Sequence, residues 1–146
     1  MLRARETAAP LAAHLGIEPI IVANLAEVDA HRSFYLPSED FTDDHPFIQE
    51  MKADPMSMFA YHGGFEPWRN KVVGAFDEVV EIHRGKTVAV FCHGMVTSTF
   101  LSKVLGYDDP FRFQMAYCGI ARVTASSNGL RSARSVNETA HVRALL

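Results

Sequence analysis

Long apolar runs, paired cysteines and one-sided charge are missing from this sequence, and each absence closes a route. No stretch approaches the ~18 apolar residues of a membrane-spanning helix, so no membrane partner is expected. The opening MLRARETAAPLAAHLG starts basic but carries Glu6 and no long apolar centre, unlike a secretory signal peptide. The only cysteines, Cys92 and Cys118, form no CxxC pair. That excludes a disulfide scaffold and makes a reduced, cytoplasmic protein the expectation. The net charge is −3 with both signs mixed along the chain, so neither a nucleic-acid footprint nor an acidic tail is present. There is no HExxH, no cysteine set for zinc, no GxSxG elbow and no Gly-rich P-loop. No metal and no cofactor are therefore expected.

What is present suits one domain. The 146 residues are 48% hydrophobic and 21% charged, enough to bury a core but with little stability to spare. Residues 3–15 read as a helix stopped by Gly16, with Pro10 removing one backbone donor. No capping residue precedes Arg3, so the chain is expected to continue upstream. PIIVA at 19–23 reads as a short buried strand, and 24–46 as a long loop. A short helix is expected over 47–53 and turns over 54–66, around Gly63-Gly64. The clearest helix spans 67–84, where Trp68, Val72, Phe76, Val79, Val80 and His83 share one face.

TVAVFC at 87–92 is a nearly continuous apolar run, as in a parallel strand covered on both faces. A second amphipathic helix follows over 95–105, closed by Gly106. Residues 119–126 and 130–136 flank Asn128-Gly129, a hairpin signal. The tail is short and mixed. This order predicts an α/β fold: a mainly parallel sheet sandwiched by helices, with an antiparallel edge hairpin.

His93 is the sharpest chemical feature. It ends an apolar strand and opens a helix, the place where α/β sheets bind ligands. The helix start offers free N–H groups to an anion, and Gly94 would let that anion approach the backbone. Imidazole there can donate to a phosphoryl oxygen or exchange a proton. Arg3 could clamp phosphate through two parallel hydrogen bonds, although alone it reads as a solvated helix start. Glu27 could protonate a leaving oxygen if burial raised its pKa, although alone it reads as an exposed loop acid.

Taken in order, the segments resemble the histidine phosphatase superfamily, the phosphoglycerate mutase-like proteins. Arg3-Ala4-Arg5-Glu6-Thr7-Ala8 looks like the family's R-A-x-x-T-A segment, and Leu25-Ala26-Glu27 like its L-x-E. Phe65 and Arg69 are similar to F-x-x-x-R, residues 88–94 to the second His-Gly motif, and Asn137 with His141 to the closing N-x-x-x-H. The resemblance implies phosphomonoester hydrolysis through a phosphohistidine on a small phosphorylated substrate. It makes His93 the second histidine, Glu27 the proton donor and Arg3 a pocket arginine, with Gly94 beside the phosphate.

The chain departs from the family in two places. The Arg-His-Gly nucleophile motif is absent, and with it the first central strand. His62-Gly63 follows a tyrosine, and His83 is followed by Arg84-Gly85 in the wrong order. The family's Gly-x-Trp after the acid is replaced by Asp29-Ala30-His31-Arg32. Residues 1–146 are thus expected to be a histidine phosphatase-like domain lacking its N-terminal part and inactive by themselves. A missing strand would leave edges open to association, such as a homodimer. The alternatives are a non-catalytic phosphate-binding module, a phosphoglycerate mutase-type phosphomutase, or a hydrolase bringing His62 or His45 to His93.

Overall fold

The computed structural model describes residues 1–37 and 40–144. Positions 38–39 within the expected loop and 145–146 at the end of the tail lie outside the described residues. Among the described residues the α-helices are α1 (Leu2–Leu15), α2 (Pro46–Ala53), α3 (Phe65–Ile82) and α4 (Gly94–Leu105). Strands β1 (Ile120–Ala125) and β2 (Arg131–Glu138) follow, and short 3₁₀ turns lie at Ala23–Leu25, Pro55–His62 and Ala140–Val142. No helix among the described residues is long and apolar enough to cross a membrane.

Local chemistry explains where the helices begin and end. Gly16 closes α1 and Gly106 closes α4 in the left-handed conformation (φ 64° and 72°), which glycine adopts without a Cβ penalty. The α1 N-terminus has no side-chain cap, and Pro10 sits inside the helix. At α2, Nδ1 of His45 accepts from the Phe47 amide, and Pro46 occupies the first helical position. The turns expected over 54–66 are instead ordered into the Pro55–His62 3₁₀ helix. Asp54 caps it, accepting from the Met56 amide at 3.0 Å.

The core lies between α3 and α4. It joins Phe65, Trp68, Val72 and Ala75 of α3 to Val96 and Phe100 of α4, with Leu25, Val28 and Phe59 from the connecting turns. The indole Nε1 of Trp68 donates to the buried hydroxyl of Thr99 at 3.1 Å, so the largest core side chain leaves no orphan donor. Phe76 and Phe100 stack at 4.1 Å. The expected α3 face is therefore right in period, but its buried stripe centres on Trp68, Val72 and Ala75. Val79, Val80 and His83 are only half-buried.

The strands β1 and β2 pair antiparallel, from Ala125 against Arg131 to Ile120 against Glu138, with irregularities around Arg122. Gly129 (φ 89°) and the Asn128 carboxamide, which accepts from the Leu130 amide, shape the turn. Arg131 reaches Asp77 at 3.2 Å and ties the hairpin to α3.

Helices with a small sheet agree with an α/β fold, but the expected parallel sheet is not formed among the described residues. Backbone is extended at Val22 (φ −108°, ψ 101°), just before the Ala23–Leu25 turn, and at His93 (φ −131°, ψ 165°), just after 87–92. Among the described residues no backbone–backbone hydrogen bond joins 18–21 or 87–92 to a neighbour. A strand exists only through its ladder, and these stretches have none among the described residues. The expectation that both are buried is corrected with it: Ile20 is 74% and Val88 43% exposed.

Candidate functional site

An open cleft collects the residues that sequence reasoning singled out. Arg3, Glu27, His93 and Gly94 all line it, together with residues 87–92 and β1. Arg3 arrives on the first turn of α1. Thr7 donates its hydroxyl to the Arg3 carbonyl at 2.9 Å, and Ala8 is the buried residue of the helix. The R-A-x-x-T-A spacing thus puts Arg3, Ala4 and Thr7 along the cleft and Ala8 against the protein.

Glu27 sits half-buried just past the Ala23–Leu25 turn. Its Oε1 accepts from the Val28 amide at 2.9 Å, and its Oε2 accepts from the Met95 amide at 3.2 Å. Met95 is the second residue of α4, so a carboxyl group already occupies part of the helix start expected to be free for a ligand. Burial raises the pKa of Glu27 against the opposing pull of these two amides. The loop-acid reading of Glu27 is therefore not what the structure shows.

His93 is the N-cap residue of α4 and is 8% exposed. Burial, then the Arg3 guanidinium and the Met1 amino group, lower its pKa from 6.5 to about 4. The ring is neutral at pH 7, with one donor and one acceptor nitrogen. Its carbonyl accepts from the Thr97 amide at 2.9 Å and from the Thr97 hydroxyl at 3.0 Å. The thiol of Cys92 lies 3.3 Å from the same hydroxyl, and burial raises its pKa, so it stays protonated. Gly94 opens α4 without a positive φ, and a Cβ there would sit in ordinary contact 3.8 Å from Cβ of Met115. The protein's own packing does not demand glycine at 94.

The remaining motif residues hold the scaffold. Arg69 pairs with Asp108 at 2.8 Å and Glu66 at 3.0 Å, away from the cleft. Asn137 (φ 56°) accepts from the Ala116 amide at 2.9 Å and donates to the Gln114 carbonyl at 3.1 Å. A Cβ at Gly119 would collide with the Asn137 carboxamide oxygen. Nε2 of His141 donates to the Cys118 carbonyl at 3.0 Å. Together Asn137 and His141 pin residues 114–118, which form part of the cleft wall.

The rival hydrolase centre is not assembled. Nε2 of His62 donates to the Val28 carbonyl at 2.8 Å and its ring packs on Trp68 at 4.6 Å, while His45 caps α2. Neither lines the cleft with His93. Sequence reasoning missed Tyr35, whose ring lies 4.3 Å from the Arg3 guanidinium carbon. It sits in an aperiodic loop, and no spacing could have paired it with Arg3.

Arg3, His93 and Glu27 bring a guanidinium, a neutral imidazole and a protonatable carboxyl within electrostatic reach of one another, groups that suit an anion and a proton transfer. The chain matches the family model of the histidine phosphatase superfamily (branch 1) over residues 1–139. Comparison with curated proteins and with solved structures found no match.

Proposed function

Since the chain belongs to the histidine phosphatase superfamily, we propose that its cleft binds the phosphoryl group of a small phosphomonoester and serves hydrolysis through a phosphohistidine. The observation that carries this reading is that the Arg3 charge acts on both Glu27 and His93, while Glu27 bonds the Met95 amide at the start of α4. Arg3 clamps two phosphoryl oxygens. His93, neutral at pH 7, donates to a third as charge develops there. Glu27, kept protonated longer by burial, gives its proton to the leaving alcohol oxygen and then takes one from the attacking water. Gly94 leaves room beside the bound phosphate.

The nucleophile of this reaction is the histidine of an Arg-His-Gly segment, and the 146 residues contain none. In this proposal residues 1–146 act as one domain that binds phosphate but does not turn it over. Losing a covalent nucleophile removes on the order of 10⁶ in rate in well-studied hydrolases. The strand bearing the nucleophile would complete a parallel sheet. The apolar, exposed residues Ile20, Ile21, Val88, Val90 and Phe91, in stretches with no ladder among the described residues, support that placement.

Calorimetric titration of the chain with inorganic phosphate tests the proposal. Binding is expected, weakened about tenfold or more by Arg3→Ala and by His93→Ala, the scale of one charge-assisted hydrogen bond. Steady p-nitrophenyl phosphate turnover is expected to be absent. Binding indifferent to both substitutions, or turnover by the chain itself, would overturn it.

A further inference from the structure

The wall of the cleft beside Arg3 and Glu27 has its own chemistry. Tyr35 and Leu36 come from the loop after the acid, Phe41 from the approach to α2, and Phe47, Ile48 and Met51 from α2 itself. Tyr35 and Phe41 are 48% and 49% exposed, large apolar surfaces turned to an open cavity. The Tyr35 ring against the Arg3 guanidinium makes this wall continuous with the phosphate cradle.

The cations near the wall already face carboxylates. Lys52 lies 2.7 Å from Asp43, and Arg32 lies 3.9 Å from Glu50 while its guanidinium packs on Phe47 at 4.6 Å. Asp29 and Glu27 add acidic groups to the same lining. A second anionic group on a ligand would meet paired cations and carboxyls there.

We infer that the phosphomonoester taken by this site carries an uncharged, apolar alcohol moiety, aromatic by preference, lying between Tyr35 and the apolar face of α2. The inference rests on the phosphate-binding reading of Arg3, Glu27 and His93. A phosphate held by Arg3 presents its ester oxygen to Glu27, and the group beyond that oxygen extends along the aromatic wall. Burying an apolar ring there removes two hydrophobic surfaces from water, whereas a polyol would lose hydration with few partners.

The test compares dissociation constants of the 146-residue chain for inorganic phosphate, glycerol phosphate and 1-naphthyl phosphate, by calorimetry. The naphthyl ester is expected to bind about tenfold or more tightly than the glycerol ester, a preference the apolar area of one ring can supply. Tyr35→Ala and Phe41→Ser are each expected to shrink that ratio at least threefold. Phe41 is a surface position, so its variant keeps the fold. Equal affinity for the two esters, or a ratio unmoved in both variants, would overturn the inference while phosphate binding itself stands. Failure of all three ligands to bind would remove the phosphate reading and this inference together.

Discussion

The Glu27 carboxyl lies 3.2 Å from the Met95 amide, a contact across 68 residues of chain that sets an acid on the first turn of α4. The helix start favours a carboxylate there, while burial favours the acid form. Burial wins, since the pKa of Glu27 is raised. The group is thereby poised to carry a proton, and its ionisation opposes folding.

That opposition has a sign that can be measured. A carboxyl with a raised folded pKa contributes most below pH 4.5, its ordinary value, and this contribution is lost as pH rises through the folded pKa. Urea denaturation of the protein and of Glu27→Gln at pH 5 and pH 7 should show the variant gaining relative stability at the higher pH. A difference between the two proteins that is the same at both pH values would contradict the buried acid.

His93 runs the other way. Its folded pKa of about 4 lies below the ordinary 6.5, so unfolding takes up a proton across that window. Its contribution is complete above pH 6.5 and falls away as pH drops towards 4. The imidazole resonances should titrate near 4 in the free protein and higher in phosphate, because an anion stabilises imidazolium. A midpoint at 6.5, unmoved by phosphate, would count against the site.

Asn137 should prove a scaffold residue. Replacing it with Ala removes both bonds to residues 114 and 116 and places a Cβ-bearing residue without the amide at φ 56°. The expected loss is about 1–3 kcal/mol by chemical denaturation, the scale of orphaned backbone groups. Asn137→Gly tolerates the dihedral but restores neither bond, so comparing the two variants separates the contributions.

The single tryptophan reports on the core directly. Thr99→Val leaves the Trp68 indole N–H without its acceptor at a site where Trp68 is 1% exposed. A loss of about 1–3 kcal/mol is expected, followed by Trp68 fluorescence during unfolding. Unchanged stability would mean the hydrogen bond contributes nothing net.

The helices and the hairpin were legible because their signals are local. Apolar residues at spacings of three and four marked α3, Gly16 and Gly106 marked helix ends, and Asn128-Gly129 marked the turn. The apolar runs at 19–23 and 87–92 were equally visible, but a ladder depends on a neighbour rather than on the run itself. Arg3, Glu27, His93 and Gly94 were legible as motif residues, and the cleft gathers all four. The structural duties of Asn137 and His141 were not, because their partners are backbone groups 21–23 residues away that carry no side-chain signature. The Pro55–His62 turn was hidden by Pro55 and the Gly63-Gly64 pair, which suit loops as well as a 3₁₀ helix.

The seating of α1 sets a final condition on the site. Of its 14 residues only Ala8 is buried, while Leu2, Leu11 and Leu15 stay exposed. The guanidinium of Arg3 is therefore delivered by a lightly fastened lever. An anion that needs it must also hold the lever down, so apparent affinity falls in proportion to the time the lever spends lifted. Substitutions that fasten α1, far from any ligand atom, should tighten phosphate binding as effectively as a new contact would.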